Sequence, residues 1–219
     1  MSKLRFLITA GPTREVIDPV RYISNRSSGK MGFSLAESAA ERGHHVHLIS
    51  GPVSLETLSH PYVETTRVES AHEMYRAVES NILQADVAIM TAAVSDYRPS
   101  SVSSQKIKKT KEEELVLHLE RTEDILGSAR EKMGFAGILV GFAAETEKLE
   151  EYARGKLERK NCDLIVANDV SRSDIGFDVP ENEIALFYRD GRSESMRKAS
   201  KNVLANQLLT LIEQLASAE

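Results

Sequence analysis

One alternation constrains this chain more than any other feature: short, unbroken apolar runs separated by amphipathic stretches of helical period. The runs are LRFLIT (4–9), HVHLIS (45–50), DVAIMTAAV (86–94), ILVGFAAE (138–145) and DLIVAND (163–169). Helix-like stretches at 30–42, 72–84, 123–133 and 147–161 lie between them. The last of these places Leu149, Tyr152, Ala153 and Leu157 on one face. Strands that are apolar on both faces need cover on both faces. The pattern therefore predicts an α/β, Rossmann-like, mostly parallel sheet with helices on both sides. ELVLHLER (114–121) and IALFYRDG (184–191) alternate more and predict an additional antiparallel or half-exposed strand region. NVLANQLLTLIEQLA (202–216) predicts a closing helix. No internal repeat is present, and a single domain over 1–219 is expected.

Two segments escape the alternation, 10–26 and 95–113, and both are too long for simple connectors. Long irregular loops in compact domains are usually functional. The first ends in SNRSSGKMG (24–32), where Ser27, Gly29 and Gly32 stand where a dinucleotide-binding loop puts its glycines. It arrives nearly twenty residues after the first strand, so it is not an ordinary strand–turn–helix phosphate loop. It is not a P-loop either, because position 24 is Ser and position 31 is Met. A helix N-terminus remains, with Ser27 or Ser28 as cap and free N–H groups for an anion. A capped surface helix with packing glycines accounts for the same residues. The preceding AGPTREVIDPVRYISN favours a ligand site, because Gly11-Pro12 breaks the chain at the end of strand one. Arg14 and Arg21 can pair with phosphate or carboxylate, and Asn25 can present an amide N–H to an oxyanion.

The second segment, SDYRPSSVSSQKIKKTKEEE, carries Lys106, Lys108, Lys109 and Lys111 after the end of the 86–94 run. It reads either as a lysine flap over phosphates or as a solvated charged loop. Three shorter patterns mislead. YARGK (152–156) matches a Tyr-x-x-x-Lys reductase pair, but the glycine turn of such enzymes is missing after strand one. HHVH (44–47) straddles two strand faces and has no Cys nearby to complete a metal site. Cys162, the single cysteine, reads as core packing rather than as a nucleophile.

Composition narrows the partners. A formal net charge of −5 argues against general affinity for nucleic acid or anionic membrane, and six Phe, six Tyr and no Trp leave little for base stacking. A lone cysteine fits a reducing compartment, no run approaches a membrane span, and a cytoplasmic protein is expected.

ITAGPTREVIDPVRYISNRSSGKMG, AAVSDYRP, KIKK, GFAAET and LIVANDV, in this order and spacing, closely resemble the phosphopantothenoylcysteine synthetases (phosphopantothenate–cysteine ligases) of coenzyme A biosynthesis. The resemblance runs from the first strand to the last helix. It implies activation of the 4′-phosphopantothenate carboxylate by a nucleoside triphosphate, CTP in the bacterial form, with Mg²⁺ on the triphosphate. L-cysteine then attacks the acyl-nucleotidylate. It further implies a homodimer and a decarboxylase as a possible separate partner, while FMN is not implied for this chain. By resemblance, Asn25 contacts the acyl intermediate and Arg21 reaches phosphopantothenate across a dimer interface. Ala92, Ala93 and Asp96 form the substrate-strand end, with Asp96 also near the nucleotide. Gly11, Ser27, Gly29 and Gly32 cradle the triphosphate, and Lys106 sits on a flexible flap. Phe142, Lys156, Lys160 and Asn168 match nucleotide contacts. Where relatives often read Asn-Pro-Asp-Ile, this chain has Thr122-Glu123-Asp124-Ile125 before Leu126, so nucleotide contacts are expected over Glu123, Asp124, Ile125 and Leu126. A nicotinamide-dependent reductase and a non-catalytic nucleotide-binding protein remain the alternatives.

Overall fold

The computed structural model describes residues 3–108, 114–171 and 181–217. β1 (Arg5–Ala10) is followed by a hairpin of β2 (Arg14–Asp18) and β3 (Arg21–Ser24), then α1 (Lys30–Glu41), β4 (His45–Ser50) and β5 (Val63–Arg67). α2 (Ala71–Asn81) runs into a 3₁₀ turn (Ile82–Gln84) and β6 (Val87–Met90). β7 (Tyr97–Pro99), β8 (Leu119–Arg121), α3 (Ile125–Glu131), β9 (Ile138–Glu145) and α4 (Leu149–Arg159) follow. β10 (Leu164–Asp169), β11 (Glu181–Tyr188), β12 (Ser193–Ser200) and α5 (Lys201–Ser217) complete the chain.

The main sheet has eight strands in the order β12-β11-β10-β9-β6-β1-β4-β5. The six from β10 to β5 are parallel, whereas β11 and β12 are antiparallel additions at one edge. Numbered among themselves, the parallel strands run in the doubly wound order, with the reversal between β1 and β6. Alternate residues of each strand feed two cores. Phe6, Ile8, Val87, Ile89, Val140 and Val166 pack with α1 and α5 on one face. Leu7, Ala88, Leu139 and Ile165 pack with α2, α3 and α4 on the other. Two-sided burial is the reason these strands read as unbroken apolar runs.

Several boundaries differ from the sequence expectation. Residues 10–26 are not irregular throughout, because β2 and β3 pair there. The 86–94 run keeps ladder pairing only through Met90. Beyond it, Ala92 N–H donates to Thr9 Oγ1 at 3.2 Å and Ala93 N–H to Gly11 O at 2.9 Å, so the segment bends over the end of β1. Of 114–121 only β8 is a strand, and it pairs with β7 outside the main sheet. β5 and β12 carry no continuous apolar run. Both lie at sheet edges, where one flank needs no partner strand. Among the described residues, no helix is long and apolar enough to cross a membrane.

Candidate functional site

The C-terminal ends of β1, β6, β9 and β10 open at the topological switch point, where parallel sheets bind ligands. Two adjoining cavities occupy this edge. The first, about 470 Å³, lies on the α3/α4 side and is lined by Asp96, Glu123, Asp124, Ile125, Leu126 and Lys160, with Arg121 nearby. The second, about 540 Å³, is lined by Asn25, Ser27, Gly29, Gly32, Ala93 and Asn168, together with Arg26, Lys30, Asn182 and Lys201. Ala92, Val94, Asp96, Phe142 and Lys156 belong to both and form the wall between them.

The charges of the two cavities differ. In the first, Arg121, Lys156 and Lys160 balance Asp96, Glu123 and Asp124. Among the described residues that line the second, the charged ones are Arg26, Lys30, Lys156 and Lys201 with Asp96. The second cavity is therefore built for an anion and the first for a group of little net charge.

Local structure explains the anion loop. Gly29 is the N-cap of α1 at φ +74°. A Cβ there would lie 2.8 Å from Val53 Cγ1 and 3.4 Å from the Gly11 backbone, so the two glycines let their chains touch. Gly11, also at positive φ, lies beneath the loop and lines neither cavity. Gly32 lets α1 press on β1, since a Cβ would fall 2.6 Å from Ala10 Cβ and Thr91 Oγ1. The expected serine cap is corrected. No side chain caps α1, and Ser27 Oγ instead accepts from Gly29 N–H at 3.4 Å. The first turn of α1 thus has no side-chain cap, and its residues Lys30, Met31 and Gly32 line the cavity.

Asn25 is also corrected in its polarity. Its Nδ2 donates to Ala93 O at 3.2 Å and Val94 O at 3.0 Å. The carbonyl Oδ1, an acceptor, is the end left for a ligand, rather than an N–H aimed at an oxyanion. Lys156 Nζ donates to Phe142 O at 2.6 Å, and burial lowers its pKa from the ordinary lysine value. Tyr152, four residues earlier, lines neither cavity, so the Tyr-x-x-x-Lys pair does not converge on one site. Burial likewise pushes the Cys162 thiol up to about 12, consistent with packing and not with a nucleophile.

The Thr122-Glu123-Asp124-Ile125 departure has structural work of its own. Thr122 N–H donates to Asp96 O at 3.0 Å, which ties the start of this loop to the cavity wall. Asp124 caps α3 by accepting from Gly127 N–H at 2.9 Å and pairs with Lys160. Burial alone would raise the Asp124 carboxyl; the Lys160 and Gly127 hydrogen bonds outweigh it and hold the carboxyl below the ordinary value. Glu123 binds His72 Nδ1 at 2.7 Å, and that bond, against burial, also holds its carboxyl low.

Three expected side chains, those of Arg21, Arg14 and Lys106, lie elsewhere. Arg21 pairs with Asp18 at 2.5 Å and donates to Ile107 O at 2.7 Å, outside both cavities. Arg14 stacks on Tyr22 at 4.5 Å. Lys106 is exposed beside Ile107 and lines neither cavity, while Lys109 and Lys111 fall outside the described residues. Conversely, Arg26, Lys30, Asn182 and Lys201 line the anion cavity without having been singled out. The first two lie within the SNRSSGKMG loop and were open to notice. Asn182 and Lys201 sit far along the chain with no motif around them.

The chain matches, over residues 1–215, the family described as the DNA/pantothenate metabolism flavoprotein C-terminal domain. It is 47% identical over 210 residues to the coenzyme A biosynthesis bifunctional protein CoaBC of Vibrio parahaemolyticus, covering 95% of this chain and 52% of that protein. To the CoaBC protein of Escherichia coli strain K12 it is 47% identical over 211 residues, covering 95% and 51%. The chain thus spans about half the length of the curated relatives it matches. A crystal structure of the C-terminal domain of a CoaBC protein superposes with a TM-score of 0.84 at 41% identity, covering 100% of this chain and 98% of that one.

Proposed function

The chain belongs to the family of DNA/pantothenate metabolism flavoprotein C-terminal domains, and from that membership we propose that it joins 4′-phosphopantothenate to L-cysteine. The observation that carries the reading is the pair of cavities: a cationic, glycine-lined one and a charge-balanced one, meeting at the wall of Ala92, Val94, Asp96, Phe142 and Lys156. A nucleotide lying across that wall has its triphosphate against Ser27, Gly29 and Gly32 and its base among Asp124, Ile125, Leu126 and Lys160.

In the first step a carboxylate oxygen of phosphopantothenate attacks the α-phosphorus, and pyrophosphate leaves. In the second the cysteine amino nitrogen attacks the acyl carbon, the nucleoside monophosphate leaves with the bonding pair, and the amine gives up a proton. Both steps develop negative charge, which the cations of the second cavity are arranged to receive. Asn25 Oδ1 suits an amide N–H of the acyl substrate, with Ala92 and Ala93 beside it. Arg21 and Lys106 lie outside the cavities of their own chain, so they act on the site of a second copy or after the loop moves. The Mg²⁺ that accompanies such a triphosphate would be held with the help of Asp96, the carboxylate among the described residues of the cationic cavity. Among the described residues there is no cluster of three acidic, His or Cys side chains that could hold a metal ion. A cytoplasmic setting suits a reaction that consumes cysteine and a nucleoside triphosphate. The curated relatives are named as bifunctional proteins of coenzyme A biosynthesis, and a separate decarboxylase is a partner to test here.

Pyrophosphate release with phosphopantothenate and each of CTP and ATP, with and without cysteine, tests the reading. CTP-dependent release, followed by amide formation once cysteine is added, is expected. Preference for ATP overturns the nucleotide choice. CTP binding without release identifies a non-catalytic nucleotide-binding protein, and tight saturation by NADH or NADPH revives the reductase.

A further inference from the structure

Two buried asparagines stand in the lining of the cationic cavity, Asn168 of β10 at 8% exposed and Asn182 of β11 at 6%. They end two apolar rows. Leu164 and Val166 precede Asn168 on the α1/α5 face of β10. Ile184, Leu186 and Tyr188 follow Asn182 at alternate positions of β11 and pack on that face. Asn182 Oδ1 accepts from Glu183 N–H at 3.0 Å, where the pairing of β11 with β12 shifts register. That bond orients the amide and leaves its Nδ2 as a donor. Among the described residues nothing accepts from Asn182 Nδ2, and the Asn168 side chain has no hydrogen-bond partner. A buried amide donor without an acceptor is costly, and an oxygen-rich ligand in the cavity supplies one.

The place of Asn182 along the cavity is specific. The wall shared with the charge-balanced cavity includes Phe142 of β9. β10 lies next to β9 and β11 next to β10, so Asn182 stands two strand spacings, about 10 Å, beyond Phe142. Asn25 and Ala93, which suit the acyl substrate, lie on the other side, in the loop after β3 and just beyond β6. In-line displacement puts the attacking and departing oxygens on opposite sides of the α-phosphorus. A carboxylate arriving from the Asn25 side therefore sends the β- and γ-phosphates toward β10 and β11.

Resting on the ligase reading, we propose that Asn182 Nδ2 donates to the γ-phosphate of the nucleotide and so selects a triphosphate over a diphosphate. Asn168, one strand nearer the wall, meets the β-phosphate. A neutral amide suits this selection. Lysines attract any polyphosphate, whereas a directed amide donor rewards only an oxygen at its own distance and angle. The phosphomonoester of phosphopantothenate offers similar oxygens, but that substrate approaches from the Asn25 side.

The test is calorimetric titration, with Mg²⁺ present, of CTP, CDP and 4′-phosphopantothenate, each alone, into the unsubstituted protein, Asn182→Ala and Asn182→Asp. ATP and ADP are run alongside, so that the outcome does not depend on the base. Asn182→Ala should weaken the triphosphate by at least about tenfold, the loss of a hydrogen bond to a charged group, and the diphosphate by less than about threefold. Phosphopantothenate affinity should stay within about twofold. Asn182→Asp keeps an oxygen for Glu183 N–H, so it would rescue a merely structural amide. Here it should lose more triphosphate affinity than Asn182→Ala, because a carboxylate replaces the donor. Should Asn182→Ala lose its thermal transition, the triphosphate-to-diphosphate ratio is read from Asn182→Asp. Equal loss of tri- and diphosphate, rescue by Asn182→Asp, a loss confined to phosphopantothenate, or no nucleotide binding by the unsubstituted protein overturns the assignment. An active ligase whose ratio ignores Asn182 removes this inference alone. An Asn182-dependent ratio in a protein that forms no amide removes the ligase reading and leaves a triphosphate site.

Discussion

At the scale of single residues, Asn25 and Lys106 carry the sharpest tests. Asn25 is tied by two hydrogen bonds to the carbonyls of Ala93 and Val94. Asn25→Asp replaces the donor with an oxygen facing those carbonyls, removing about 1 kcal/mol per bond and adding repulsion. Amide formation from cysteine should fall by more than about tenfold while CTP affinity, set in the cationic cavity, changes little. A single-turnover assay with cysteine reads the first quantity and a CTP titration the second; normal amide formation removes Asn25 from the mechanism. Lys106→Gln keeps the length and loses the charge. Nucleotidylate formation should drop by at least about a hundredfold with little change in CTP affinity, because the ammonium acts on charge that grows in the transition state. Lys108→Gln should be milder, and a pyrophosphate-release assay compares the two. An unimpaired Lys106→Gln enzyme refutes the flap.

At the scale of elements, the β2–β3 hairpin governs where the lysine segment departs. The Asp18 carboxylate is buried, and burial alone would raise its pKa. Hydrogen bonds from Arg21 and from the N–H groups of Val20, Ile107 and Arg21 outweigh that and hold it well below the usual carboxylate range. A depressed carboxyl contributes stability that is present above its unfolded value, near 4, and is lost as pH falls through the folded value. Asp18→Asn should therefore be less stable than the unsubstituted protein at neutral pH, with the difference shrinking below about pH 4. Thermal melts across that range check it, and a gap that widens toward acid contradicts the assignment. The contact of α1 with β1 gives a second test. Gly32→Ala inserts a methyl 2.6 Å from Ala10 Cβ and Thr91 Oγ1. Overpacking of this kind costs about 1–3 kcal/mol, so a lowered denaturant midpoint and weaker CTP binding should appear together.

At the scale of the molecule, the two small sheets outside the eight-stranded one expose several apolar side chains. Val16, Val20 and Tyr22 project from the hairpin region, and Tyr97 and Leu119 from β7 and β8. Two copies meeting through these surfaces would cover them and bring Arg21 of each toward the other's site. Light scattering should give twice the 24.3 kDa chain mass at micromolar concentration, and Val20→Lys with Tyr22→Lys should shift it to one chain mass with loss of activity. A fully active monomer rejects the dimer.

The apolar runs alone determined the doubly wound centre, because a strand covered on both faces leaves no polar position along its length. The same logic hid β5 and β12, whose edge positions require no such run, and the hairpin, whose strands pack on one side only. The glycines of the anion loop were legible for a related reason: a positive φ at Gly29 and the close approach of α1 to β1 at Gly32 are demands that few other residues meet. Only the tertiary structure decided which cations stand beside that loop. Arg21 turned out to be engaged by Asp18, Lys106 lay outside the cavities, and Lys201 entered from the far end of the chain. A lysine or arginine reads alike whether it faces water, a carboxylate or a phosphate. Its role is set by what the folded chain places within a few ångströms of its charge, and that distance is not a property of local sequence.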